Sequence, residues 1–151
     1  MNESPRILVV DDDESIRKTI SLKLERAGYT VDLAENGKQA IEKSEAKFYN
    51  LAVIDIRLPD MDGVQLLTSL RETTPKMVKI ILTGYPALQN AIDAVNKGAD
   101  AYLTKPLDAD ELLKVIKEHL DKQKAEVEYG QEKIAKFAET RFRELQDKEP
   151  F

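Results

Sequence analysis

The chain has 151 residues, a formal net charge of −5 and a pI near 5.1, which fits one self-sufficient core with an appendage and disfavours a nucleic-acid surface. It has no cysteine and one histidine, which excludes disulfides, thiol catalysis and thiolate metal sites and argues against structural zinc. No apolar run approaches a membrane span, and Met1–Pro5 lacks the layout of a signal peptide, so a cytoplasmic protein that does not enter a membrane is expected.

Taken in chain order, Ile7–Val10 reads as a first buried strand and Asp11-Asp12-Asp13 follows it. Ser15–Arg26 puts Ile16, Ile20 and Leu24 on one helical stripe, and Gly28 stops it. Thr30–Leu33 is short and alternating, as an edge strand would be. A helix over Lys38–Ala46 leads to the strand Leu51–Ile54, which ends on Asp55. The helix Gly63–Arg71 carries Val64, Leu66, Leu67 and Leu70, and the strand Val78–Leu82 ends on Thr83-Gly84. The helix Ala87–Asn96 is followed by Gly98, and the buried strand Ala101–Leu103 by Thr104-Lys105-Pro106. Strand and helix alternate five times, which predicts an α/β fold: a five-stranded parallel sheet with helices on both faces.

In such a sheet the reactive site lies beyond the carboxyl ends of the strands. Asp11, Asp12, Asp55, Thr83 and Lys105 all stand there. Carboxylates converging on one cleft repel each other, and a hard divalent cation such as Mg²⁺ relieves this. Lys105 offers a positive charge and Thr83 a hydroxyl to phosphoryl oxygens, and Asp55 can attack phosphorus in line to give an acyl phosphate. Asp13 is expected to cap the following helix, and His119 to be an ordinary helix residue.

These residues closely resemble the receiver domains of two-component response regulators. The marks are Ile7–Asp13, Asp55-Ile56-Arg57-Leu58-Pro59-Asp60-Met61-Asp62-Gly63, Leu82-Thr83-Gly84 and Tyr102–Pro106. The resemblance implies a receiver domain over 5–121, flavodoxin-like with strand order 2-1-3-4-5. It implies that Asp55 accepts a phosphoryl group from a sensor histidine kinase or phosphotransfer protein. Asp11 and Asp12 would form the Mg²⁺ pocket with Asp55, Asp12 being the direct ligand of the pair, and Arg57 would lend its backbone carbonyl. Thr83 and Lys105 would contact phosphoryl oxygens, and Thr83 and Tyr102 would form the activation switch. Gly84 would keep the pocket mouth open, and the Lys105–Pro106 bond matches a position that is cis in the family. Such a chain is not an enzyme beyond its own phosphoryl transfer and self-dephosphorylation. Two other readings stay open at this point: an inert receiver-like interaction module, and a haloacid-dehalogenase-like phosphatase built on Asp11-x-Asp13.

From Asp108 onward only Gly130 interrupts a helical pattern, and 122–151 reads as a helical extension. Leu113, Leu120, Val127 and Ile134 recur every seven residues, with Ile116 and Phe137 in a second seam that Gln123 and Gly130 weaken. A two-stranded coiled coil, and so a homodimer, is expected, with no direct nucleic-acid binding.

Overall fold

Among the described residues, apolar runs separated by amphipathic stretches fold into five parallel strands and five helices. The computed structural model describes residues 4–84, 87–105 and 108–148. In chain order the elements are β1 Arg6–Val10, α1 Glu14–Arg26, β2 Thr30–Ala34, α2 Gly37–Ala46 and β3 Leu51–Asp55. They continue as α3 Gly63–Ser69, β4 Val78–Thr83, α4 Leu88–Asn96, β5 Ala101–Thr104 and α5 Ala109–Lys148. The sheet order is β2-β1-β3-β4-β5, as expected.

Alternate residues of the central strands enter opposite cores. Leu8, Val10, Ala52, Ile54 and Ile81 pack with α2, α3 and α4 side chains such as Ala40, Leu66 and Ala94. Ile7, Val9, Leu51, Val53 and Ile80 pack with Ile20 and Leu24 of α1 and with Leu112, Ile116 and Leu120 of α5. β3 and β4 are buried throughout. β5, expected to be buried on both faces, is instead the second edge of the sheet and only half-buried. An edge strand has a neighbour on one side only, so its apolar residues stay partly exposed.

Helix starts are fixed by side chains that accept from free backbone N–H groups. Asp13 caps α1 by accepting from Ile16 N, Asn36 caps α2 through Gln39 N, and Asp62 caps α3 through Val64 N. Gly28 and Gly98 follow α1 and α4 with positive φ, as chain reversals there require.

α5 runs without a break through Gly130 for 40 residues, roughly 60 Å at 1.5 Å per residue. Its first part is committed to the domain: Leu112, Ile116 and Leu120 are buried against the sheet and Leu113 packs beside them. Those seam positions are therefore unavailable to a coiled coil, which corrects the first half of the expected repeat. Gln123 has a role of its own. Its Nε2 donates to Asn50 O at 2.9 Å and to Lys76 O at 2.8 Å, and its Oε1 accepts from Asn50 Nδ2 at 3.3 Å. It ties α5 to the segments that enter β3 and β4.

Candidate functional site

The parallel register brings the functional side chains together. Asp55 at the end of β3 pairs with Leu82, so Thr83 follows one residue beyond it on the adjacent strand. Thr83 in turn pairs with Thr104, and Lys105 comes next. Lys105 N donates to Thr83 O at 2.7 Å, which holds the start of that loop to the sheet. On the other side of β3, Val10 pairs with Ile54, which sets Asp11 beside Asp55.

Asp11 is 1% exposed and Asp55 7%, whereas Asp12 is exposed. Carboxylate oxygens of all three lie within 4.8 Å of one another. The Asp11 loop is held by its own bonds: Asp11 N donates to Ala34 O at 3.1 Å, and Asp13 N donates to Asp11 Oδ1 at 2.9 Å. The guanidinium of Arg17 donates to the Asp11 carbonyl at 2.6 Å and pairs with Glu35 at 3.6 Å. Arg17 is buried and was not singled out from the sequence. Its signal was its spacing, since it shares the core face of α1 with Ile20 and Leu24.

Lys105 Nζ reaches Asp11 Oδ2 at 3.2 Å and Asp55 Oδ2 at 3.5 Å, while Asp55 Oδ1 accepts from Arg57 N at 3.2 Å. Burial first, and then the charge of Asp11, pushes the Asp55 carboxyl above its ordinary pKa, against the opposing pull of Arg57 N and Lys105. Burial alone would lower Lys105, but the Asp11 and Asp55 charges outweigh it and raise its pKa. Three carboxylates against one ammonium leave an excess of two negative charges. That donor set, all oxygen and partly open to solvent through Asp12, fits a hard divalent cation.

The loop after β3 is shaped around Asp55. Gly63 N donates to Ile56 O at 2.8 Å, and a Cβ on Gly63 would come within 2.5 Å of Asp55 O. Arg57 and Asp62 form an isolated antiparallel bridge. Asp60 accepts from Gly37 N and Lys38 N, both at 2.9 Å, which pins the loop to the start of α2 and holds its carboxyl below the usual range.

Thr83 is fully buried at the end of β4. A Cβ on Gly84 would lie 4.0 Å from Lys105 Cδ, an ordinary van der Waals contact. Tyr102 packs against the α2–α4 core, and its hydroxyl is buried with no hydrogen-bond partner among the described residues. Asp13 does not join the acidic cluster among the described residues, since it caps α1. Pro106, and with it the Lys105–Pro106 bond, lies outside the described residues.

The model of the response regulator receiver domain matches residues 7–117. The transcriptional regulatory protein ZraR of Klebsiella oxytoca is 41% identical over 118 residues, 78% of this chain and 27% of that protein. The chain thus spans little more than a quarter of that curated relative. A response regulator receiver domain protein (CheY-like) from Methanospirillum hungatei JF-1 is similar in structure, with a TM-score of 0.78 and 45% identity over 82% of this chain and 98% of that one. A Burkholderia pseudomallei response regulator, solved with a phosphorylated aspartic acid, calcium ion and citrate, has a TM-score of 0.69 and 30% identity over 82% of this chain and 72% of that one. With the family model matching well over half of its length, this chain belongs to the response regulator receiver domain family.

Proposed function

We propose that this chain takes a phosphoryl group onto Asp55 from a phosphohistidine of a sensor histidine kinase or phosphotransfer protein, and that the aspartyl phosphate is its signalling state. The single observation that carries the reading is the setting of Asp55: a buried carboxylate clustered with Asp11 and Asp12, with the Lys105 ammonium reaching both Asp55 and Asp11. The phosphorylated aspartic acid of the Burkholderia pseudomallei relative supports it by analogy.

Asp11, Asp12, Asp55 and the backbone carbonyl of Arg57 would hold Mg²⁺. When bound, the cation supplies charge neutralisation for the phosphoryl oxygens. An Asp55 oxygen attacks phosphorus, an acyl phosphate O–P bond forms, and the P–N bond to the donor imidazole breaks with its electron pair returning to nitrogen. Lys105 moves its charge from the carboxylates to a new phosphoryl oxygen. The Thr83 hydroxyl donates to another, and Tyr102 follows it, so that the α4–β5–α5 face changes. The Tyr102 hydroxyl, buried with no hydrogen-bond partner among the described residues, supports such a move, because a buried hydroxyl without a partner gains by reaching one.

The receiver unit is assigned to 5–121 and the helical extension to 122–151, of which 149–151 lie outside the described residues. The chain's chemistry is confined to gaining and losing its own phosphoryl group. Partners other than the donor are proteins rather than nucleic acid, in keeping with the net charge of −5. Among the described residues no helix is long and apolar enough to cross a membrane, and the assigned compartment is the cytoplasm. A phosphatase built on Asp11-x-Asp13 is disfavoured by the capping role of Asp13.

The test is incubation with acetyl phosphate, with and without Mg²⁺, followed by intact mass. One added phosphoryl that depends on Mg²⁺ supports the proposal. Turnover of a phosphate ester with no labelling would replace it.

A further inference from the structure

Every residue of α5 from Gln131 to Gln146 is exposed, yet this stretch is not polar all round. At 3.6 residues per turn, Val127, Ile134, Ala138 and Leu145 fall along one line, with Phe137 and Phe142 flanking it. Ile134, Phe137, Phe142 and Leu145 are 70%, 68%, 61% and 57% exposed. Glu128, Glu132, Lys136, Glu139 and Arg143 take the opposite side, where Arg143 and Glu139 pair at 2.8 Å. The line continues the face that Ile116 and Leu120 bury against the sheet, and Gln123 is the last buried residue on it. From Val127 to Leu145 the stripe runs roughly 27 Å beyond what the domain covers. Among the described residues nothing covers this apolar surface.

The stripe is complementary to its own reverse. Laid antiparallel about a two-fold axis at Lys136, Val127 stands level with Leu145 of a second copy, and Ile134 with Ala138. Gly130 and Gln131 stand level with Phe142 and Arg141, so the glycine gap is filled by bulky neighbours. The two Phe137 rings approach at the axis. A parallel, in-register pair does the opposite. It sets Arg141, the one charge inside the stripe, against its own copy and leaves Gly130 facing Gly130. The antiparallel arrangement also brings Leu145 of the second copy to Val127, at the rim of a groove lined by Tyr29, Phe48 and Leu120 at the base of the sheet.

We infer that a second copy of this chain docks on the Val127–Leu145 stripe in antiparallel orientation. Such a contact is self-complementary and closes at two copies. It holds the two receivers at opposite ends of the helix pair, so the pairing does not depend on the state of Asp55.

The chain has no cysteine, so single-cysteine variants test the orientation cleanly. Full-length Val127→Cys and Leu145→Cys proteins are oxidised separately and as a mixture. In an antiparallel pair the two Val127 positions are roughly 27 Å apart, whereas a disulfide needs Cα atoms within about 7 Å. The expected result is a disulfide-linked dimer in the mixture and only background in either variant alone. Light scattering should give a dimer with or without acetyl phosphate, and Phe137→Glu should make it a monomer. Crosslinking of Val127→Cys by itself, no crosslink in the mixture, or a monomeric unmodified chain would each overturn the inference. A dimer that survives Phe137→Glu would place the interface elsewhere and overturn it too.

Discussion

Lys105 Nζ stands 3.5 Å from Asp55 Oδ2, the two residues arriving from the ends of different strands with Thr83 on the strand between. The ammonium sits where phosphoryl charge would develop on a group bonded to Asp55. A donor placed in advance at such a position commonly contributes about 10²-fold to rate. Lys105→Met should therefore slow phosphorylation by acetyl phosphate by about that factor, read from initial rates by intact mass. Its fold should be unchanged by circular dichroism, because the Lys105 side chain is not part of either core.

Asp12 and Asp13 are adjacent but do different work. Asp12 lies with Asp11 and Asp55, while Asp13 Oδ1 accepts from Ile16 N at 3.1 Å. Asp12→Ala should weaken Mg²⁺ binding at least tenfold in calorimetry. Asp13→Ala should leave that affinity nearly unchanged and cost about 1 kcal/mol of stability through the lost cap. The reverse order would exchange the two assignments.

Gly63 has no room for a side chain, since its Cβ would meet the backbone of Asp55 and Ile56 at 2.5 and 2.8 Å. At Gly37 the clash is with the side chain of Met61, which can move. Gly63→Ala should cost about 1–3 kcal/mol in denaturant unfolding and slow phosphorylation as well, while Gly37→Ala should cost less.

Gln123→Leu removes the partner of two carbonyls, Asn50 O and Lys76 O. A stability loss of about 1–3 kcal/mol is expected. Faster amide exchange in α5 near Gln123, with no change at the acidic cluster, is the accompanying signature.

Burial pushes the Lys79 ammonium below its ordinary pKa of 10.5, and the charge of Lys76 adds to the shift. The folded chain therefore holds this proton less tightly than the unfolded one. Near neutral pH both forms are protonated and the penalty of burying the charge is present in full. The penalty fades as pH rises through the window from the lowered value to 10.5. Lys79→Met lacks this group, so its melting temperature relative to the parent should fall as pH climbs through that window. A difference that does not vary with pH would show that the buried ammonium carries no such penalty.

The strands were legible because a buried parallel sheet demands apolar runs, and Ile7–Val10, Leu51–Ile54 and Val78–Leu82 admit no other reading of comparable length. The acids at their ends were legible as a cluster because parallel strands align their carboxyl ends. Arg17 and Gln123 were not, since a polar residue on a core face reveals its partner only once the fold brings that partner near. Both bind backbone carbonyls distant in sequence or on a preceding loop, which carry no side-chain signature. Gly130 interrupts the helical pattern of the sequence, but one glycine costs about 1 kcal/mol and a helix of 40 residues absorbs it. The seven-residue repeat misled at Leu113 and Leu120, because packing on a sheet and packing on a second helix call for the same spacing.

The account turns on Asp55 as the phosphoryl acceptor, and borohydride trapping tests it most directly. The chain is treated with acetyl phosphate and Mg²⁺, reduced with borohydride to convert an acyl phosphate to homoserine, and sequenced by tandem mass spectrometry. Homoserine at position 55 alone, and none in Asp55→Asn, is the predicted result. Homoserine at position 11 or 12 in the unsubstituted chain, or labelling of Asp55→Asn at an unchanged rate, would contradict it.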